Sequence, residues 1–220
     1  MVSALFALLM MASIDGSQTV ARATCEDGRL TVTVKIHDYA RVSGESLAGA
    51  SDIVTRVYRK VGVSTEWFGV VNQWDRRKQS DHDRELSSLS RTPIAQFTII
   101  VLTEEMAARA GFAPEALGLA AVPATGLGRI AYVVYDRVRE VALTTGISEA
   151  KLLGFVISQD IASLLQVQES DSSAGLMRRH WDRRDLWQID VAEPEFSPQV
   201  ARQLRDSCEQ SDLESSRNSR

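Results

Sequence analysis

Metal-binding side chains are scarce in this chain, which has three histidines and two cysteines in 220 residues. Cys25 and Cys208 give no spacing suited to a cysteine-based zinc site. His37, His82 and His180 lie far apart, so no two of them sit one helical turn apart on a shared face. Excess positive charge is also missing: the net charge is −4, and nothing in bulk points to nucleic acid or an anionic membrane. The apolar run from Val2 to Ile14 is too short to span a bilayer comfortably. There is no internal repeat and no Gly-x-Ser-x-Gly nucleophile elbow.

What is present is 44% hydrophobic and 25% charged, the composition of an ordinary globular protein. The length suits one domain, or one domain with a small second lobe, and can bury a good core without metal or disulfide staples. The division expected is a signal peptide over 1–23, one domain over 24–208 and a polar, disordered tail over 209–220. Within the domain, 24–165 and 166–208 form an N-terminal and a C-terminal subdomain. The signal reading rests on the apolar run followed by the small-x-small triplet Ala21-Arg22-Ala23. It places the protein outside the cell or in the periplasm. The n-region has no Lys or Arg, and the competing reading is a buried N-terminal helix in a cytoplasmic protein. In an oxidising compartment Cys25 and Cys208 could join the two ends of the mature chain, which the chain-entropy model values at about 4–5 kcal/mol. The alternative is two thiols that never meet.

Periodicity predicts a half-buried strand over 30–37 and an amphipathic helix from Ser46 to Val61, with Ser46 as N-cap and Gly62 as its stop. A second strand covers 63–68. Residues 72–93 are dense in mixed charge and read as a long exposed loop. A buried strand follows at 96–102, then a short helix opened by Thr103 and ended by Gly111. Strand-like runs at 117–123 and 128–135 are joined by a Gly-rich turn. A helix over 136–145 is closed by Gly146, and Ser148 opens the next. Residues 166–174 form a polar loop, and 178–187 are basic and aromatic. Ser197-Pro198 starts a final helix running through Cys208.

The helix over 148–165 is apolar nearly all round, through Leu152, Leu153, Phe155, Val156, Ile157, Ile161, Leu164 and Leu165. Such a helix belongs in the centre of a fold. Gln159 and Ser163, at i and i+4, make a narrow polar stripe with Asp160 beside it. Buried polar groups need partners, so this stripe is where a cleft would meet the core.

These residues carry a resemblance. The line Gly128-Arg-Ile-Ala-Tyr-Val-Val-Tyr-Asp-Arg-Val138, the approach Leu152-Leu-Gly-Phe-Val-Ile157, the turn Gly175-Leu176-Met177 and Trp181 are similar to the zincin metallopeptidases. The likeness is to the metzincin-like clan, and within it to small secreted bacterial proteins with a helix motif HEIGH, then HS, then GIM. It covers roughly the last third of the chain closely and the earlier strands by order. It implies an α/β (α+β) zincin-like fold: a small mixed twisted sheet, a buried central helix and a short helical C-terminal lobe.

In such a motif two histidines at i and i+4 hold zinc, and a glutamate takes a proton from zinc-bound water. Here Gln159 and Ser163 stand at the histidine positions and Asp160 at the glutamate. Asp171 falls at the third histidine, Val167 at the helix-ending glycine, and Met177 in the Met-turn. Amide and hydroxyl groups are poor zinc ligands. The expectation is a pseudo-peptidase with no intact catalytic residue and no cofactor, in a family where zinc is the rule. It keeps a cleft and binds peptide or protein by strand addition near 118–134. The competing readings are a weak metallohydrolase using surviving oxygens, and a structural envelope protein or relic.

Three further constellations carry weaker signals. His180, Asp160, Asp171 and Glu169 could offer ligands to a hard cation, though ordinary solvated carboxylates explain them as well. Ser163, Asp160 and His180 hold the residue types of a serine hydrolase but not its geometry, since Ser163 is mid-helix. Arg178, Arg179, Arg183 and Arg184 with Trp181 and Trp187 could grip an anion, but the interleaved Asp182 and Asp185 favour a Trp-anchored structural turn.

Overall fold

The structure is a computed structural model, and it describes residues 24–26, 29–72, 96–122, 129–165, 167, 176–177, 181, 183–192 and 195–204. The elements run β1 (Thr24–Glu26), β2 (Arg29–Asp38), α1 (Gly44–Lys60), β3 (Ser64–Asn72), β4 (Gln96–Leu102) and α2 (Glu104–Arg109). They continue β5 (Gly118–Ala121), β6 (Ile130–Val134), α3 (Tyr135–Thr145), α4 (Glu149–Leu164) and α5 (Arg183–Val191). A last helix, α6, covers 198–204. Of the predicted charged loop at 72–93 only Asn72 is described, as the last residue of β3; the Gly-rich turn, most of the 166–174 loop, the signal segment, the tail and Cys208 lie outside the described residues, as does the Cys25 side chain.

All six strands form one mixed sheet, the class the sequence predicts. Its order is β1-β2-β4-β6-β5, with β3 on the other side of β2. β3, β2, β4 and β6 are parallel, while β1 and β5 run antiparallel to β2 and β6. In β2 the residues Val32, Val34, Ile36 and Asp38 are buried and the odd-numbered Thr31, Lys35 and His37 are half-buried. β4 repeats this with Phe97, Ile99 and Val101 inside. The period of two turns one face of the sheet to the core, and α1 and α4 cover that face.

Helix α4 is buried as its composition requires, with Leu152, Leu153, Phe155, Ile157, Ile161 and Leu164 shut from solvent. It meets α1 where small residues face each other. A Cβ on Gly154 would lie 2.9 Å from Ile53 side-chain atoms and 3.0 Å from the Ala50 carbonyl oxygen; one on Gly49 would lie 2.9 Å from the Ala150 Cβ. The C-terminal segment closes the far end. Phe196 packs edge-on against Tyr58 with ring centroids 5.2 Å apart, and Lys60 Nζ meets Glu195 Oε1 at 3.0 Å.

Two local expectations are corrected. The N-cap of α1 is Ser43, whose Oγ accepts from the Ser46 N–H at 3.0 Å. Ser46 lies inside the helix and donates instead to Glu149 Oε1 at 2.8 Å. Ser148 does open α4, at its N-cap, without a side-chain capping bond. The stretch predicted as a basic structural turn contains a helix, α5, held partly by Lys151 Nζ donating to the Asp190 carbonyl at 2.6 Å. Gly62, Gly111 and Gly146 do stop their helices, at φ of 84°, 77° and 78°.

The close approach of α1 and α4 gives a first prediction. Gly154→Ala gains helix propensity of about 1 kcal/mol but drives a methyl into Ile53 and the Ala50 carbonyl. Net destabilisation of about 1–3 kcal/mol is expected in denaturant unfolding; an equally stable variant would mean the helices have room to part.

Candidate functional site

One wall of the site is the edge strand β5, and its place is set by a buried arginine. Arg137 on α3 is 8% exposed. Its guanidinium forks onto Glu104, Nε to Oε2 at 2.5 Å and Nη2 to Oε1 at 2.9 Å. Nη1 donates to the carbonyls of Ala113 and Ala116, the latter at 2.9 Å. The guanidinium hydrogen bond holds the Glu104 carboxyl below the usual range, and the same bond raises Arg137. One side chain thus pins the loop that leads into β5. From there β5 pairs with β6, Leu119 opposite Tyr132 and Ala121 opposite Ile130. Among the described residues its other edge has no strand partner.

The opposite wall and floor come from α4. A cleft of about 560 Å³ lies between, lined by Glu115 to Ala120 and Val122 on one side and by Val156, Gln159, Asp160 and Ser163 on the other. Val141, Trp181 and Leu186 complete it. The structure therefore brings together Gln159, Asp160 and Ser163, the three positions singled out on the helix. Met177 is buried in the core and does not line the cleft. Asp171, Glu169, His180 and His82 lie outside the described residues, and His37 is half-buried on β2.

The polar groups differ in how they are satisfied. Ser163 Oγ donates back to the Gln159 carbonyl at 3.1 Å. Asp160 is 6% exposed, and its Oδ2 is buried with no hydrogen-bond partner. Gly118 of β5 covers that oxygen so closely that a Cβ there would collide with it and would lie 2.8 Å from Val156 Cγ1. Burial without a donor penalises the charged form, so the Asp160 carboxyl titrates well above the usual carboxylate range. Nearby Tyr58, whose hydroxyl donates to the Ser158 carbonyl at 2.9 Å, is raised first by burial and then by the Asp160 charge.

This donor set does not fit zinc. An amide, a hydroxyl already committed to the helix backbone and a carboxyl pressed under a glycine are not the imidazoles and the free carboxylate that a zinc site needs. Among the described residues no three His, Cys, Asp or Glu side chains converge on a common point. Sequence reasoning missed Gly118, Arg137 and Glu115. Gly118 is legible only once β5 is known to cross Asp160, and Arg137 only once α3 is known to back the loop.

No family model and no curated protein matches the chain. Among solved structures it is similar to the crystal structure of metalloproteinase-II from Bacteroides fragilis, with a TM-score of 0.43 and 12% identity. That match covers 80% of this chain and 53% of the other, so the chain spans about half the length of that protein. Among the described residues no helix is long and apolar enough to cross a membrane.

The burial of Asp160 has a pH signature. In the unfolded chain its carboxyl releases a proton near pH 3.9, while the folded chain keeps it to higher pH. Between those values the native state binds more protons than the unfolded state, so stability falls as pH rises. This contribution is fully present below about pH 4 and is lost by the folded pKa. Asp160→Asn removes it. The variant is expected to lose less stability than the parent between about pH 4 and pH 8, read as the difference between two sets of denaturant curves. Parallel pH profiles would mean that Asp160 is ionised in the fold.

Proposed function

We propose that this chain is a non-catalytic homologue of the zinc metallopeptidases that holds a peptide or protein segment in the cleft between α4 and β5. The observation that carries the reading is the cleft floor. Gln159, Asp160 and Ser163 line an opening whose far wall is a strand edge without a strand partner among the described residues. They stand where the resembled motif places two zinc ligands and a base. The edge offers main-chain groups to an added strand. Leu119 and Val122, 49% and 43% exposed, offer apolar contacts beside it. Val141, Leu186 and Trp181 extend the apolar lining.

Hydrolysis of the family type needs a metal and a carboxylate base. The donor set favours neither, since a carboxyl with one oxygen sealed beneath Gly118 is poorly placed to take a proton from water. Export directed by residues 1–23 belongs to the same reading, since a peptide-binding protein of this kind would act outside the cytoplasm.

Two measurements test it. Elemental analysis of the purified protein after zinc incubation and desalting is expected to find no retained metal in a folded protein. About one equivalent of retained zinc would mean that other ligands rebuild the site and would return the metallohydrolase to first place. The second probe is a fluorescein-labelled decapeptide, blocked at both ends and selected from a random library on the whole chain. The double variant Leu119→Lys, Val122→Lys is expected to weaken its binding on the order of tenfold, the worth of about 1.4 kcal/mol. Unchanged affinity, or failure of any peptide to bind, would remove the cleft-binding role.

A further inference from the structure

We infer that Asp160 is the polar anchor of the cleft, its carboxyl donating one hydrogen bond to a backbone carbonyl of a peptide lying along β5. The inference rests on the peptide-binding reading and names the group that would recognise the ligand.

Three observations lead to it. Asp160 is more than nine-tenths buried and yet lines the cleft. Its Oδ2 is shut in beneath Gly118 without a partner, so the exposure that the residue retains belongs to its other atoms. Finally, the cleft offers the carboxyl no cation: among the described lining residues Glu115 is the sole charged group besides Asp160. From below, α1 presents Tyr58, whose hydroxyl is committed to the Ser158 carbonyl.

The chemistry then follows from which orphan is cheapest. A carboxylate here would hold one oxygen away from both water and donors, at high cost. A carboxylic acid has one carbonyl-type oxygen and one hydroxyl. An under-satisfied carbonyl is the more tolerable of the two in a protein interior, so the carbonyl oxygen belongs under Gly118 and the hydroxyl on the cleft side. That hydroxyl needs an acceptor. Of the backbone carbonyls on the β5 wall, those of Leu117 and Ala120 already take a hydrogen bond each, from Val134 N and Val122 N, at 2.8 and 3.1 Å. An extended peptide brings carbonyls at strand spacing along the same wall.

The test uses the same labelled decapeptide with Asp160→Asn and Asp160→Ala. Asparagine keeps a donor of the same shape and is expected to bind within about threefold of the parent. Alanine lacks one and is expected to bind about tenfold to a hundredfold more weakly, the range for an unmatched buried acceptor. Alanine binding like the parent overturns the anchor, and so does asparagine failing as badly as alanine, which would mean that a negative charge is read. Where neither variant folds, infrared difference spectra of the parent decide. The protonated-carboxyl stretch, shown by aspartate isotope labelling, should move to lower frequency when peptide is added, and an unmoved band sinks the proposal. Loss of binding in the Leu119, Val122 variant with no response at Asp160 would leave the peptide reading standing and remove this inference alone.

Discussion

The requirement that α4 be buried on every side but its narrow polar stripe governs the rest of the molecule. Outside the polar stripe at the cleft its apolar residues leave no face for water, so it must touch α1, the sheet and α3 at once. The small residues Gly49, Gly154 and Ala150 bring α1 and α4 into backbone-range contact, and dispersion between closely packed groups then rewards the approach. Such packing shuts water out of most of the helix, and its serine side chains find partners on the helix itself. Ser158 Oγ returns to the Gly154 carbonyl at 2.8 Å, and Ser163 does the same one turn further on.

Around that helix the ends of the elements are tied by a few polar knots. Glu149, in the first turn of α4, accepts from Ser46 of α1 and from Tyr135 at the start of α3. A negative group belongs at a helix N-terminus, where it faces the free N–H groups and the positive end of the dipole. Here one carboxylate serves the starts of three helices. Asp38 at the end of β2 makes a similar local knot, accepting from the N–H groups of Ala40 and Val42 at 3.0 and 2.9 Å. Arg137 does for β5 what Glu149 does for the helices. Its fork fixes one wall of the cleft while helix packing fixes the other, so the width of the opening is set by two separate rigid supports.

Much of this was legible in the residues. Strands with one buried face announce themselves by alternation, as at Val32, Val34 and Ile36, and a helix like α4 by uninterrupted apolar residues. The three polar positions of the cleft floor were legible for the same reason, since polarity on such a helix stands out. The cap of α1 was not. Ser43 and Ser46 are both plausible N-caps, and the choice depends on Glu149, 103 positions after Ser46, drawing the second serine inward. Helix α5 was hidden because its charge pattern is mixed and its burial is supplied by Leu186 and Ile189 alone among its described apolar positions, with Trp187 and Val191 exposed. Gly118 against Asp160 was out of reach, because that contact follows from strand order rather than from any local pattern.

On the proposed reading, the cleft floor also explains how such a helix would do without a metal site. Imidazoles pointing into a cleft need a partner; a glutamine and a serine make less of that demand, and Ser163 meets it within its own helix turn. The aspartate is the harder case. One methylene shorter than glutamate, it reaches less far from the helix and lies under Gly118, where a side chain any larger on β5 would collide with it. An ionised group in that position would strain the fold. A proton removes the charge without moving a heavy atom, and it turns an acceptor into a donor. On the proposed reading, the change that takes a base from the site also furnishes it with a hydrogen-bond donor, so the same floor that no longer suits hydrolysis remains suited to holding a peptide carbonyl.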